Sequence, residues 1–180
     1  MASLLFIATI MATRDSERPS AGFTTSAQDQ SDVARLQARL ETTRRAHPDA
    51  DHHRPSAATG GDGAAEAPRV PSVEICEGAH KYVQIRAVAR DGRGQVFVVS
   101  RKHAAYHCNA AEPFVAKLEQ QGYRDIQVTG GGRVALDSAD KTIKIYGFSY
   151  GFGKPDHSVS ADVVRQDERY TGYEVTWSDE

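Results

Sequence analysis

From Pro71 onward, the hydrophobic pattern falls into short β-rich runs separated by turn residues, as in the strands of a packed domain. "HKYVQIRAVA" (80–89) and "QVFVVSR" (95–101) are predicted strands, joined by a hairpin turn at "RDGRG". The period then changes. In "AEPFVAKLEQQGY", Phe114, Val115 and Leu118 share one helical face, Pro113 lies in the first turn, Asn109 or Ala110 stands near the cap and Gly122 ends the helix. "YRDIQVT" (123–129) is the next strand. "GGGRVALD" (130–137), the turn "SADK" and "TIKIYGFS" (142–149) follow. "SADVVRQDE" reads as a second helix capped by Ser160, and "YEVTWS" closes the chain as a strand that carries Trp177. This order predicts an α/β fold over residues 70–180: a single compact domain whose central mixed sheet of about six strands is flanked by two helices.

Before Pro71 the pattern is different. Residues 12–71 are rich in Ala, Ser, Thr, Asp, Arg and Pro, and such a segment buries too little apolar surface to offset its ordering entropy. Residues 1–69 therefore read as a largely disordered N-terminal extension with one short helix at 31–47. There Ser31 can cap, and Val33, Leu36 and Leu40 form a thin stripe that fits an isolated, solvated helix better than a docked one. The run "SLLFIATIMA" is too short to span a bilayer and lacks the leading Lys or Arg of a secretory signal, so it reads as a disordered or loosely helical start. Met11 offers a second start.

A formal charge of −2 over 180 residues gives no basic field to gather nucleic acid or an anionic membrane, so any anion site must be local. The two cysteines, Cys76 and Cys108, have neither CxxC nor zinc-type spacing, which points to a reducing, cytoplasmic setting. His47, His52 and His53 lie among aspartates in a Pro- and Gly-rich linker with no rigid element to fix a coordination geometry, so they read as linker and not as a metal site.

Local anion sites do exist as candidates. Gly130–Gly132 and "SYGFG" (Ser149–Gly153) could each turn successive N–H groups toward one point, and Arg133 and Lys81 could add charge. Taken singly, the glycines fit turns or bulges equally well, and the cations fit a solvated surface. His107 follows a predicted strand and precedes a helix, a placement common for catalytic side chains, although His103, His107 and His157 form no triad order by sequence. Cys108 reads as a partly buried filler thiol.

Several words taken together are more specific. "KYVQIR" (81–86), "YH" (106–107), "GGGR" (130–133), "DKTIKIYGFSYGFG" (140–153), "HSVS" (157–160) and "YEVTW" (173–177) occur in the order and near the spacing of one family. From about Val70 to Glu180 the chain resembles the janus/ocnus family, that of the protein phosphohistidine phosphatases. The first 69 residues have no counterpart there. The resemblance implies an enzyme that hydrolyses the N–P bond of phosphohistidine, and of phospholysine as a second candidate, in proteins, with no metal or other cofactor. It also implies His107 as the catalytic histidine, Lys81 and Arg133 as phosphate contacts, and Ser149, Tyr150 and Gly151 as the substrate-binding loop. The expected partners are phosphohistidine-containing proteins, and the expected state is a monomer. The chain departs from the family at Val99, where an arginine is usual; Arg101, two positions on, keeps the same face parity. The binding loop also differs at Tyr150 and Gly151.

In the mechanism this implies, backbone amides of 149–151 with Lys81 and Arg133 hold the equatorial oxygens while neutral His107 takes a proton from water. Neighbouring positive charge would hold the imidazole below its ordinary pKa of about 6.5 and give an acid limb at about 6 or lower. A phosphorylated His107 is the rival within the enzyme class, and a noncatalytic phosphate-binding signalling module is the rival outside it.

Overall fold

The computed structural model describes residues 27–46 and 70–179. The rest of the predicted disordered extension, including His47, His52, His53 and "SLLFIATIMA", lies outside the described residues. Six strands form one mixed, curled sheet: β1 (Val73–Glu74), β2 (Gly78–Val88), β3 (Gly94–Ser100), β4 (Arg124–Asp137), β5 (Thr142–Tyr146) and β6 (Glu174–Trp177), in the order β1-β3-β2-β4-β5-β6. The four central strands pair antiparallel, while β1 and β6 join the two edges in parallel. The alternation in β2 sorts its side chains: Val83, Ile85 and Ala87 enter one apolar cluster, and Tyr82 enters a second on the opposite face. Both faces are covered, which is why the middle of this strand is buried without a break.

Three helices cover the sheet, one more than the two expected to flank it. α2 (His107–Gln120) packs Phe114, Val115 and Leu118 against the Val83–Ile85 face, and α3 (His157–Arg165) packs Ala161 and Val164 against the Tyr82 face. α2 begins at His107, earlier than the cap read near Asn109, because the Asn109 side chain accepts the Tyr106 N–H at 3.0 Å and closes the first turn. It ends at Gly122, whose φ of +77° supports a Schellman pair: Tyr123 N–H to Leu118 O and Gly122 N–H to Glu119 O, both at 3.0 Å. α3 is capped by the Asp156 carboxylate on Val159 N–H, not by Ser160, which is fully buried within the helix.

The third helix is α1 (Ala27–Ala46), which starts four residues before the predicted Ser31. It is docked, contrary to the solvated reading. Val33 and Leu36 are each 2% exposed and Leu40 is buried with them, in the same cluster as Phe114, Val115 and Phe152. The stripe is thin, yet its i, i+3, i+7 spacing is enough to fill the sheet face beside α2. Arg35 pairs with Glu112 at 3.6 Å and Arg39 with Glu119 at 3.8 Å, so α1 and α2 run side by side in the same sense. The N-terminal ends of both helices therefore lie at one end of the domain, where His107 sits.

The glycines of "GGGR" interrupt nothing. β4 runs straight through them as one strand with a bulge at Thr129, in register Lys81↔Arg133, Tyr82↔Gly132, Val83↔Gly131 and Gln84↔Gly130.

If α1 is part of the core, Leu36→Ala should cost about 2–5 kcal/mol in equilibrium denaturation. A loss within about 0.5 kcal/mol, the value of a surface change, would contradict the docking.

Candidate active site

His107 is the first residue of α2 and is 7% exposed. Its Nε2 lies 3.0 Å from the Gly132 carbonyl oxygen. A carbonyl only accepts, so Nε2 carries the proton and Nδ1 keeps its lone pair. The approach needs a bare strand: a Cβ at Gly131 would stand 2.7 Å from His107 Cδ2 and 3.0 Å from the Tyr82 carbonyl. Burial pushes the imidazole down to about 4; the Gly132 bond opposes this, and Lys81 and Arg133 add to it. Burial, and not the neighbouring positive charge, is the leading cause.

Lys81 and Arg133 are direct cross-strand partners on β2 and β4. The pleat puts them on the same face as Val83 and Gly131, the face His107 approaches. Like charges directly opposite one another repel. No ion pair or hydrogen bond among the described residues neutralises either head group. Burial and then Arg133 lower the Lys81 ammonium, while Asp29 raises it. Two adjacent, uncompensated cations beside a neutral imidazole make a site for an anion.

The loop after β5 closes the site. Ser149 and Gly153 form a small antiparallel bridge (2.8 and 3.3 Å), Gly153 O accepts the Gly131 N–H at 3.1 Å, and Ser149 Oγ accepts the Phe152 N–H at 3.2 Å. The loop is thus tied to the strand residue that His107 touches. Ser149 is buried and its N–H already donates to Gly153, so a phosphate cradle here would draw on the loop beyond it. The exposed Tyr150 ring meets Phe148 edge-on at 4.9 Å, and Gly151 lies under Val33 of α1.

A buried polar network on the other face was not legible in the sequence. His157 Nε2 donates to the Gly147 carbonyl at 2.7 Å, which leaves Nδ1 to accept the Tyr82 hydroxyl at 2.7 Å. Ser160 Oγ lies 3.3 Å from that hydroxyl and accepts from Gln84 Nε2 at 2.9 Å, and Gln84 Oε1 accepts from Thr129 at 2.7 Å. This network fixes the entry to the loop through Gly147. The available signal was Gln84, a polar residue in the middle of an apolar run.

Of the other candidates, His103 sits in an exposed turn, and Arg101 is exposed past the end of β3 while Val99 is fully buried in the cluster behind His107. Cys108 is buried and burial pushes its thiol up to about 11, in keeping with a filler. Asp29 of α1, unremarked in the sequence, is 4% exposed and interacts with Lys81.

A model of the Janus/Ocnus family matches residues 67–174. The chain is 35% identical over 124 residues to a 14 kDa phosphohistidine phosphatase of Sus scrofa, covering 65% of this chain and 96% of the relative. It is 32% identical over 118 residues to a protein of the same name from Homo sapiens, covering 62% and 92%. The sex-regulated protein janus-A of Drosophila pseudoobscura pseudoobscura is 34% identical over 118 residues, covering 62% and 77%. The matched span holds His107, Lys81, Arg133 and the 149–153 loop, and it leaves α1 outside. On this match, this chain belongs to the Janus/Ocnus family.

Proposed function

We propose that the chain is a protein phosphohistidine phosphatase in which His107 is the general base. The observation that carries the reading is a buried imidazole, held neutral with Nδ1 unprotonated, beside the uncompensated pair Lys81 and Arg133. The names of the relatives from Sus scrofa and Homo sapiens support the substrate class. In this reading the two cations and the loop beyond Ser149, at Tyr150 and Gly151, hold the phosphoryl oxygens and orient phosphorus for in-line attack. Water forms the new O–P bond as its proton passes to His107 Nδ1; the P–N bond breaks, and the proton is returned to the departing imidazole or to solvent. The products are inorganic phosphate and unmodified histidine. The charge that builds on the equatorial oxygens is met by donors already in place.

The substrates are phosphohistidine-containing proteins, and the reaction needs no metal. A reducing, cytoplasmic setting belongs to the same reading, in which Cys76 and Cys108 stay free thiols. Among the described residues no helix is long and apolar enough to cross a membrane.

With a phosphohistidine peptide and excess chelator, His107→Ala should lower kcat by roughly 10²-fold or more while phosphopeptide binding persists. Wild-type protein without turnover would overturn the enzyme reading in favour of a binding module, and a labelled phosphoryl group trapped on His107 would replace the base with a nucleophile. The pH profile is sharper than the sequence allowed. The base works only when neutral, so protonation at about 4 stops it, and kcat/KM should rise through pH 4 and be level on this limb from about pH 5 upward. An acid limb near pH 6.5 would show that burial does not govern His107.

A further inference from the structure

The predicted site residues all lie within the span the family model matches, yet α1 reaches the same place from outside it. Asp29, in the first turn of α1, is 4% exposed, and its Oδ1 has no hydrogen-bond partner among the described residues. Its strongest charged neighbour is Lys81, which it in turn stabilises as a cation. One turn further along, Val33 lies on the loop: a Cβ added to Gly151 would be 2.7 Å from Val33 Cγ2. The apolar stripe Val33, Leu36 and Leu40 and the pairs Arg35–Glu112 and Arg39–Glu119 hold the helix in this position.

A buried carboxylate oxygen without a donor is unfavourable, and a helix-dipole preference for acids in the first turn does not require burial. The apolar anchor explains how the arrangement is tolerated, and Lys81 favours the charged form of the carboxyl against burial. Burial raises the Asp29 carboxyl and Lys81 lowers it, as expected for an acid held against a cation it does not fully pair with. Asp29 is thus a buried, incompletely paired acid on the α1 face that also carries Val33 onto Gly151, and it acts on Lys81 from outside the strand pair.

We propose that Asp29 is an affinity-determining residue of the phosphoryl site, an internal anion that competes with the phosphoryl group for Lys81. α1 is then a wall of the substrate site as well as a core element. Its Val33 limits the room above Gly151, and its carboxylate sets how strongly an incoming phosphoryl group is held. A dianionic phosphoryl group must share or displace the Asp29–Lys81 interaction, which weakens both substrate capture and retention of the product phosphate. The inference rests on reading Lys81 and Arg133 as the phosphoryl-binding pair.

The test uses the full-length chain. Binding of inorganic phosphate is titrated against wild type, Asp29→Asn and Asp29→Ala, and KM for a phosphohistidine peptide is measured in parallel. Removing one partly screened charge should tighten phosphate by roughly three- to tenfold in both variants, with a fall in KM of similar size. Phosphate binding that is unchanged or weaker in both variants, or undetectable in all three proteins, would overturn the proposal. A merely structural Asp29 would move the melting temperature without moving phosphate affinity, and that result counts against it too. Because phosphate binding is read without turnover, a wild type that hydrolyses the peptide while Asp29→Asn binds no tighter defeats this inference alone. A wild type that hydrolyses nothing defeats the phosphatase reading, whatever Asp29 does.

Discussion

The hydrogen bond from His107 to the Gly132 carbonyl depends on a stretch of β4 with no side chains, and the chemistry of the site depends on that bond. It fixes the ring by one nitrogen, sets the tautomer and leaves the other nitrogen to take a proton. The same bare strand lets the imidazole sit deep enough for burial to keep it neutral. A side chain at Gly131 would meet the ring itself. Three glycines that look like a turn thus serve as a flat seat for the His107 ring, and the bulge at Thr129 keeps that seat in register with Lys81 and Tyr82.

The charges beside the seat are of one sign. Lys81 and Arg133 are paired across the strands, and neither head group is held in an ion pair or hydrogen bond among the described residues, a like-charge arrangement that costs stability and that Asp29 offsets only in part. The opposite face of the sheet carries the complementary task. There His157, Tyr82, Ser160 and Gln84 pair buried polar groups with one another and hold the Gly147 carbonyl, from which the 149–153 loop departs. Two residues beyond Gly147, Ser149 bridges Gly153, which is tied back to Gly131. α1 adds a contribution from outside the family fold, with apolar anchoring along its length and a carboxylate at its tip.

Periodicity made most of the fold legible. The β-rich runs of β2 and β3, the alternation in β5 and the Phe114–Val115–Leu118 face of α2 appear in place, because burial leaves a direct trace in an element's residue pattern. β1 is only two residues long and leaves no such trace. α1 was read as solvated because three apolar residues make a weak stripe, and no local signal reveals the surface waiting to receive it. Ser160 looked like a cap, yet Asp156 takes that role and frees Ser160 for the buried network. As for the candidate site, the motif words include His107, Lys81, Arg133 and the loop at Ser149, whereas Asp29 comes to it through tertiary packing, which spacing along the chain does not encode.

The central claim is the protonation state of one ring, and it can be observed directly. Long-range ¹H–¹⁵N spectra of the imidazole side chains at pH 7, with His107 assigned by substitution, report both tautomer and charge. The account predicts a neutral ring protonated on Nε2 with Nδ1 bare. An imidazolium, or a ring protonated on Nδ1, would contradict it.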